Sequence, residues 1–253
     1  MKAASFKLIS YHSAAGGKRP SGAGISCAAV SWKHNGFHAY QTHLMFAGDD
    51  QTNEPAPVAM TQEQACKLVH HLEAVTNDGY TLVTVNGLTD FRTLAEESGL
   101  HDECVELARA HCDLQFLIAY DHGWLADLRI LAAHLDQDML TEVCLRDGTA
   151  VPIDDEIAPD LWRRDEHKAV LDYLRLDAVA TLNVARTALQ KGRLVWVSSS
   201  NVRGSILLPS SLDGTPWRLP TVAEYMHLPH QEMTLPTIPI DRGAWVSWMG
   251  AQP

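Results

Sequence analysis

No aspartate or glutamate precedes Asp49 in this chain of 253 residues. The opening strand therefore carries no carboxylate with which to hold a metal ion. Helical membrane spans are excluded as well, since no apolar run approaches the roughly 18 residues that a span needs. The first residues lack the long apolar stretch of a secretory signal. Five cysteines (Cys27, Cys66, Cys104, Cys112 and Cys144) form no C-x-x-C pair. An odd number without a secretory signal points to reduced thiols in a cytoplasmic protein rather than a disulfide framework. Basic residues are scarce too, 20 against 31 acidic, for a net charge of −11. That balance excludes broad duplex binding, which rests on many Lys and Arg contacts to phosphate. A local grip on a short single strand is compatible with it.

What is present suits a soluble globular protein, with 46% apolar and 20% charged residues. The pattern predicts a strand over 7–11, another over 24–32, and a tight turn at His34-Asn35-Gly36 leading into an antiparallel third strand over 37–46. Thr61 and Gln64 form a capping box, and Ala65, Leu68, Val69, Leu72 and Val75 then keep a helical period. A short strand buried on both faces is predicted over 81–85. Helices are predicted over 90–98, with Asp90 at the N-terminal end, over 102–110 and 113–121, and near 125–135. Residues 145–155 read as a polar link. A long helix over 165–191 closes at Gly192.

This order predicts an α/β fold, a mixed sheet with helices on both faces. Composition changes after Gly192: residues 194–253 hold seven of the 12 prolines and four of the seven tryptophans. Two regions follow, a main domain over 1–192 and a C-terminal appendage over 193–253. The appendage is expected to pack on the core, on a second copy of the chain or on another protein.

Tyr173 and Asp177 lie four residues apart, on one face of the long helix. There a phenol can orient a water beside a metal held by the carboxylate. Asp177 can equally be a solvated residue, and Tyr173 a packing residue with one hydrogen bond. Asn86-Gly-Leu-Thr-Asp90 follows the short buried strand, and Asp90 is a candidate acid or a helix N-cap. His12 could donate to phosphate or ligate an ion, although a histidine at a strand end is more often simply hydrogen-bonded. Lys18 and Arg19 follow the first strand and could meet phosphate or be solvated. Asp113 could face the cleft or cap the next helix.

The strand followed by Asn86-Gly-Leu-Thr-Asp90-Phe-Arg-Thr-Leu94 and the helix with Tyr173-Leu-Arg-Leu-Asp177 resemble the second and third motifs of the DEDD superfamily of 3′–5′ exonucleases. The third motif is similar to that of the Tyr-x-x-x-Asp branch. The resemblance covers roughly residues 5–192 in element order. It implies a ribonuclease-H-like fold with a five-stranded mixed sheet, and hydrolysis at the 3′ ends of single-stranded DNA or RNA. It also implies Mg2+ or Mn2+ held by Asp90 and Asp177, with Tyr173 positioning the attacking water and Asn86 near the nucleic acid. In that family an Asp-x-Glu on the first strand places two carboxylates on one face to bridge two ions. Aligning 8–11 with that strand puts His12 and Ala14 at those positions. The second motif is one residue short before Asp90 and lacks its Phe, so Asp90 faces the site only if its helix keeps register. The expectation is an exonuclease-like protein with lost or weakened hydrolysis. The alternative is a non-catalytic module that binds nucleic acid or protein.

Overall fold

A computed structural model describes residues 2–10, 24–33, 39–48, 59–122, 125–133, 135, 142–197, 203–209, 218–227 and 246–250. Five strands form one sheet: β1 (Ala3–Ser10), β2 (Ile25–Trp32), β3 (Gln41–Phe46), β4 (Thr81–Thr84) and β5 (Cys112–Asp113). Their spatial order is β3-β2-β1-β4-β5. β1 pairs antiparallel with β2 and parallel with β4, β2 pairs antiparallel with β3, and β4 pairs parallel with β5. The fold is therefore α/β around a mixed sheet, as the element order predicts.

β1 is the central strand, and Ala4 through Ile9 are all buried. Helices cover both of its faces. On one, Phe6 stacks on Phe91 of α2 (Gly87–Ser98), ring centroids 5.2 Å apart. On the other, the Ser5 hydroxyl donates to the Ala178 carbonyl of α7 (His167–Lys191) at 2.7 Å. The remaining helices are α1 (Gln62–Asn77), α3 (His101–Ala110), α4 (Leu114–His122), α5 (Leu128–Ala132) and α6 (Ala158–Arg163). The Thr61 capping box forms as its sequence predicts, and Gly192 closes α7 in the left-handed region, φ 65°.

The structure adds β5 and α6, which the sequence reading did not predict, and differs from that reading in further places. β1 begins four residues earlier than predicted and ends at Ser10, because its apolar residues are buried on both faces and give no alternation to mark its start. α2 begins at Gly87, so Asp90 is not the N-cap; Asn86 takes that place in a left-handed turn, φ 65°. The link over 145–155 contains a strand, because β6 (Glu142–Cys144) and β7 (Ala150–Pro152) pair antiparallel. Their few residues show too little alternation to register as strands.

Beyond Gly192, β8 (Arg193–Val197) and β9 (Arg203–Leu207) form a two-stranded ribbon, and α8 (Val222–Met226) and a short 3-10 turn (Ser247–Met249) follow. Leu194, Trp196, Leu208, Leu219, Val222, Tyr225 and Met249 join the same buried cluster as β1 and α7. Trp196 packs on His122, centroids 4.9 Å apart, and the Arg109 guanidinium donates to the Met249 carbonyl at 2.7 Å. These two contacts tie described parts of the tail to the core. No helix among the described residues is long and apolar enough to cross a membrane.

Asp113 holds the junction from β4 to α2. Its carboxylate accepts from the backbone amides of Asn86 (3.1 Å), Leu88 (3.2 Å), Gln115 (3.0 Å) and Phe116 (3.2 Å). It therefore caps α4 and also fixes the turn that delivers Asp90. Removing it leaves buried donors without an acceptor, each costing about 1–3 kcal/mol. Asp113→Ala should lose more than about 3 kcal/mol in urea unfolding. A loss below about 1 kcal/mol would mean that water reaches these amides.

Candidate functional site

A cavity of about 280 Å³ opens at the carboxyl ends of β1 and β4, and Lys7, Asn86, Gln115, Arg129, Asp155, Tyr173 and Asp177 are among its lining residues. Tyr173 and Asp177 reach it together because both lie on the buried face of α7. Asp90 lies in the first turn of α2, where it is 6% exposed, and it is not among the residues that line the cavity. Asn86 lines the cavity, but its side-chain oxygen accepts the Thr89 hydroxyl at 2.8 Å and is occupied in shaping the turn. His12, Lys18 and Arg19 lie outside the described residues.

The residue that β1 sends into the site is Lys7, which the sequence reading did not select. Its ammonium lies 2.5 Å from one Asp155 carboxylate oxygen. The Tyr173 hydroxyl donates to the other at 2.9 Å. The Lys7 side chain is 8% exposed and that of Asp155 is 52% exposed, so the pair runs from the interior to the cavity rim. Two residues beyond Lys7, on the same face of the strand, stands the buried apolar Ile9. Lys7 is thus the described β1 residue that reaches the site, while His12 and Ala14 lie outside the described residues. Lys7 was overlooked because a single lysine inside an apolar run carries no spacing signal.

Electrostatics follow from this placement. Burial works against a charge on Lys7, but Asp155, Asp177 and Asp90 outweigh it and hold the ammonium above the ordinary lysine range. Burial pushes the Asp177 carboxyl up to about 6, against the pull of Lys7. It pushes Asp90 well above the usual carboxylate range. Burial also opposes a charge on Asp155, yet Lys7 and the Tyr173 hydroxyl hold its carboxyl below the usual range. The Tyr173 phenol is raised, chiefly by burial and then by Asp177 and Asp155.

The described residues of the site offer no ligand set for Mg2+ or Mn2+. Among the described residues no three His, Cys, Asp or Glu side chains group as ligands. Of the nearby carboxylates, Asp155 is paired with the Lys7 ammonium instead. A divalent ion a few ångströms from that charge would be strongly repelled. The proton of Tyr173 is likewise committed to Asp155.

No family model matches the chain, and no curated protein shows significant similarity to it.

The shift on Asp177 has a testable consequence. Its folded pKa lies above the unfolded value near 4, so the folded state holds the proton more tightly and stability falls as pH rises from about 4 to 6. Asp177→Asn has no such charge to bury. Relative to the natural chain it should gain on the order of 2–3 kcal/mol between pH 4 and pH 7 in urea unfolding. An unchanged difference at the two pH values would mean that Asp177 titrates as it does in water.

Proposed function

We propose that this chain is a ribonuclease-H-like relative of the Tyr-x-x-x-Asp 3′–5′ exonucleases that has given up metal-dependent hydrolysis. Its cleft receives the 3′ end of a single-stranded nucleic acid. One observation carries the reading: Tyr173 and Asp177, far in sequence from the central strand, line one cavity with its Lys7. A five-stranded mixed sheet flanked by helices is the scaffold that such a relative requires.

Hydrolysis by that family needs ions to activate water and stabilise the leaving oxygen. A cleft that repels those ions loses several kcal/mol of transition-state stabilisation, which is orders of magnitude in rate. The functional groups left are those of a binding site. Arg129, Gln115 and Asn86 border the cavity as hydrogen-bonding groups. Asp127, Asp154 and Glu156 stand with them and repel a long phosphate backbone. The cleft therefore suits a single terminal nucleoside better than a duplex, in keeping with the net charge of −11.

A second reading, association with another protein, draws support from Leu207. It is 75% exposed on β9, in a ribbon of two strands. Deleting the tail would uncover Leu194 and Trp196, so Leu207→Asp is the cleaner variant.

Labelled single-stranded DNA and RNA distinguish these readings. With Mn2+ present, the purified chain should release no mononucleotides. In fluorescence anisotropy it should bind free 3′ ends more tightly than blocked ones. Mononucleotide release would overturn the non-hydrolytic reading. Absence of binding to either polymer, with a solution mass that drops in Leu207→Asp, would favour the protein-association reading.

A further inference from the structure

We infer that the Asp177 carboxylate is the acceptor for a hydroxyl of a nucleoside sugar. The cavity then takes a 3′ end that bears free hydroxyls and refuses one that bears phosphate. The choice of a nucleoside rests on the proposed function; the demand for a neutral hydroxyl donor rests on the cavity alone.

Two observations carry it. First, Asp177 is a buried acceptor with nothing to accept. It is 8% exposed and lines the cavity, and among the described residues its side chain has no hydrogen-bond or ion-pair partner. A carboxylate withdrawn from water without a donor costs more than one hydrogen bond contributes. A purely structural carboxylate would be satisfied within the protein, as buried Asp113 is by four backbone amides. Nor is Asp177 free to turn elsewhere. The neighbouring Ala178 carbonyl accepts the Ser5 hydroxyl at 2.7 Å, which holds this turn of α7 against β1.

Second, the donors around it are already engaged. The Lys7 ammonium and the Tyr173 hydroxyl both donate to Asp155, at 2.5 and 2.9 Å. The Gln115 amide donates to the Ala126 carbonyl at 3.0 Å, and the Arg129 guanidinium to the Ile153 carbonyl at 2.8 Å. The cavity presents an open acceptor, so the ligand must bring the donor.

Charge narrows the ligand further. A cation would meet the Lys7 ammonium, and an anion would meet Asp127, Asp154 and Glu156 as well as Asp177. A hydroxyl donates to a carboxylate without either penalty, and the bond is charge-assisted. A sugar with free hydroxyls supplies that donor, whereas a terminal phosphate adds negative charge among carboxylates.

The test uses the full chain and a short 5′-labelled oligoribonucleotide ending in a 2′,3′-diol, a 2′,3′-dideoxy sugar or a 3′-phosphate, read by fluorescence anisotropy. The diol end should bind at least about tenfold more tightly than either of the others. Asp177→Ala should bind diol and dideoxy ends alike. In Asp177→Asn, which keeps the shape and can stand in if alanine does not fold, the preference should shrink about threefold or more.

Equal binding of diol and dideoxy ends by the natural chain would overturn the inference and leave the proposed function standing. So would a diol preference that persists undiminished in both variants. Calorimetry with each common ribonucleoside and its 2′,3′-dideoxy form separates a free nucleoside from a chain end as the source of the sugar. Hydroxyl-dependent nucleoside binding without oligonucleotide binding would support the inference and count against the proposed function alone. A natural chain that binds neither would overturn the inference.

Discussion

The pairing of one buried ammonium with Asp155 is the interaction on which the site is organised. Asp90 and Asp177 are 6% and 8% exposed, and burial raises both carboxyls above their ordinary range against the pull of Lys7. Lys7 stands on the central strand, and Asp155 ties its ammonium to the rim of the cavity. Breaking one side of such an arrangement costs more than the arrangement contributes, because what remains is an unpaired charge in a poorly solvating interior. The cluster thus constrains where β1, α2, α7 and the turn before α6 can sit relative to one another.

The scaffold makes that cluster possible. A strand covered on both faces withdraws its lysine from water at its own strand position. α7 brings two functional groups at once because residues four apart share a face. α2 brings the third through a turn whose geometry depends on Asp113, itself far from the chemistry. Function in this reading lies in the electrostatic character of the cleft, with the packing around it serving to hold opposite charges in register.

In the proposed relation to metal-dependent nucleases, likeness and departure come from the same positions. The third motif keeps its tyrosine and aspartate, and α2 still turns its aspartate inward despite the shortened approach. What changes is the sign of the charge on the central strand. An ammonium there satisfies Asp155 without recruiting ions. It also leaves Tyr173 donating to Asp155 rather than orienting a water. On that proposal the cleft retains shape and hydrogen-bonding groups for binding rather than hydrolysis.

Much of the scaffold was legible in the residues. The α1 capping box, the period of α7 and its glycine stop, and the pairing of Tyr173 with Asp177 are local patterns repeated over several residues, so sequence alone determined them. The absence of acids before Asp49 likewise determined that β1 brings no carboxylate to the site. Only the tertiary structure decided which β1 residue enters the cleft, because the strand is apolar on both faces and one lysine has no periodicity to orient it. The role of Asp155 was equally hidden. It meets Lys7 across 148 residues of chain, and no local propensity records a contact formed only when the sheet and the turn before α6 close on each other.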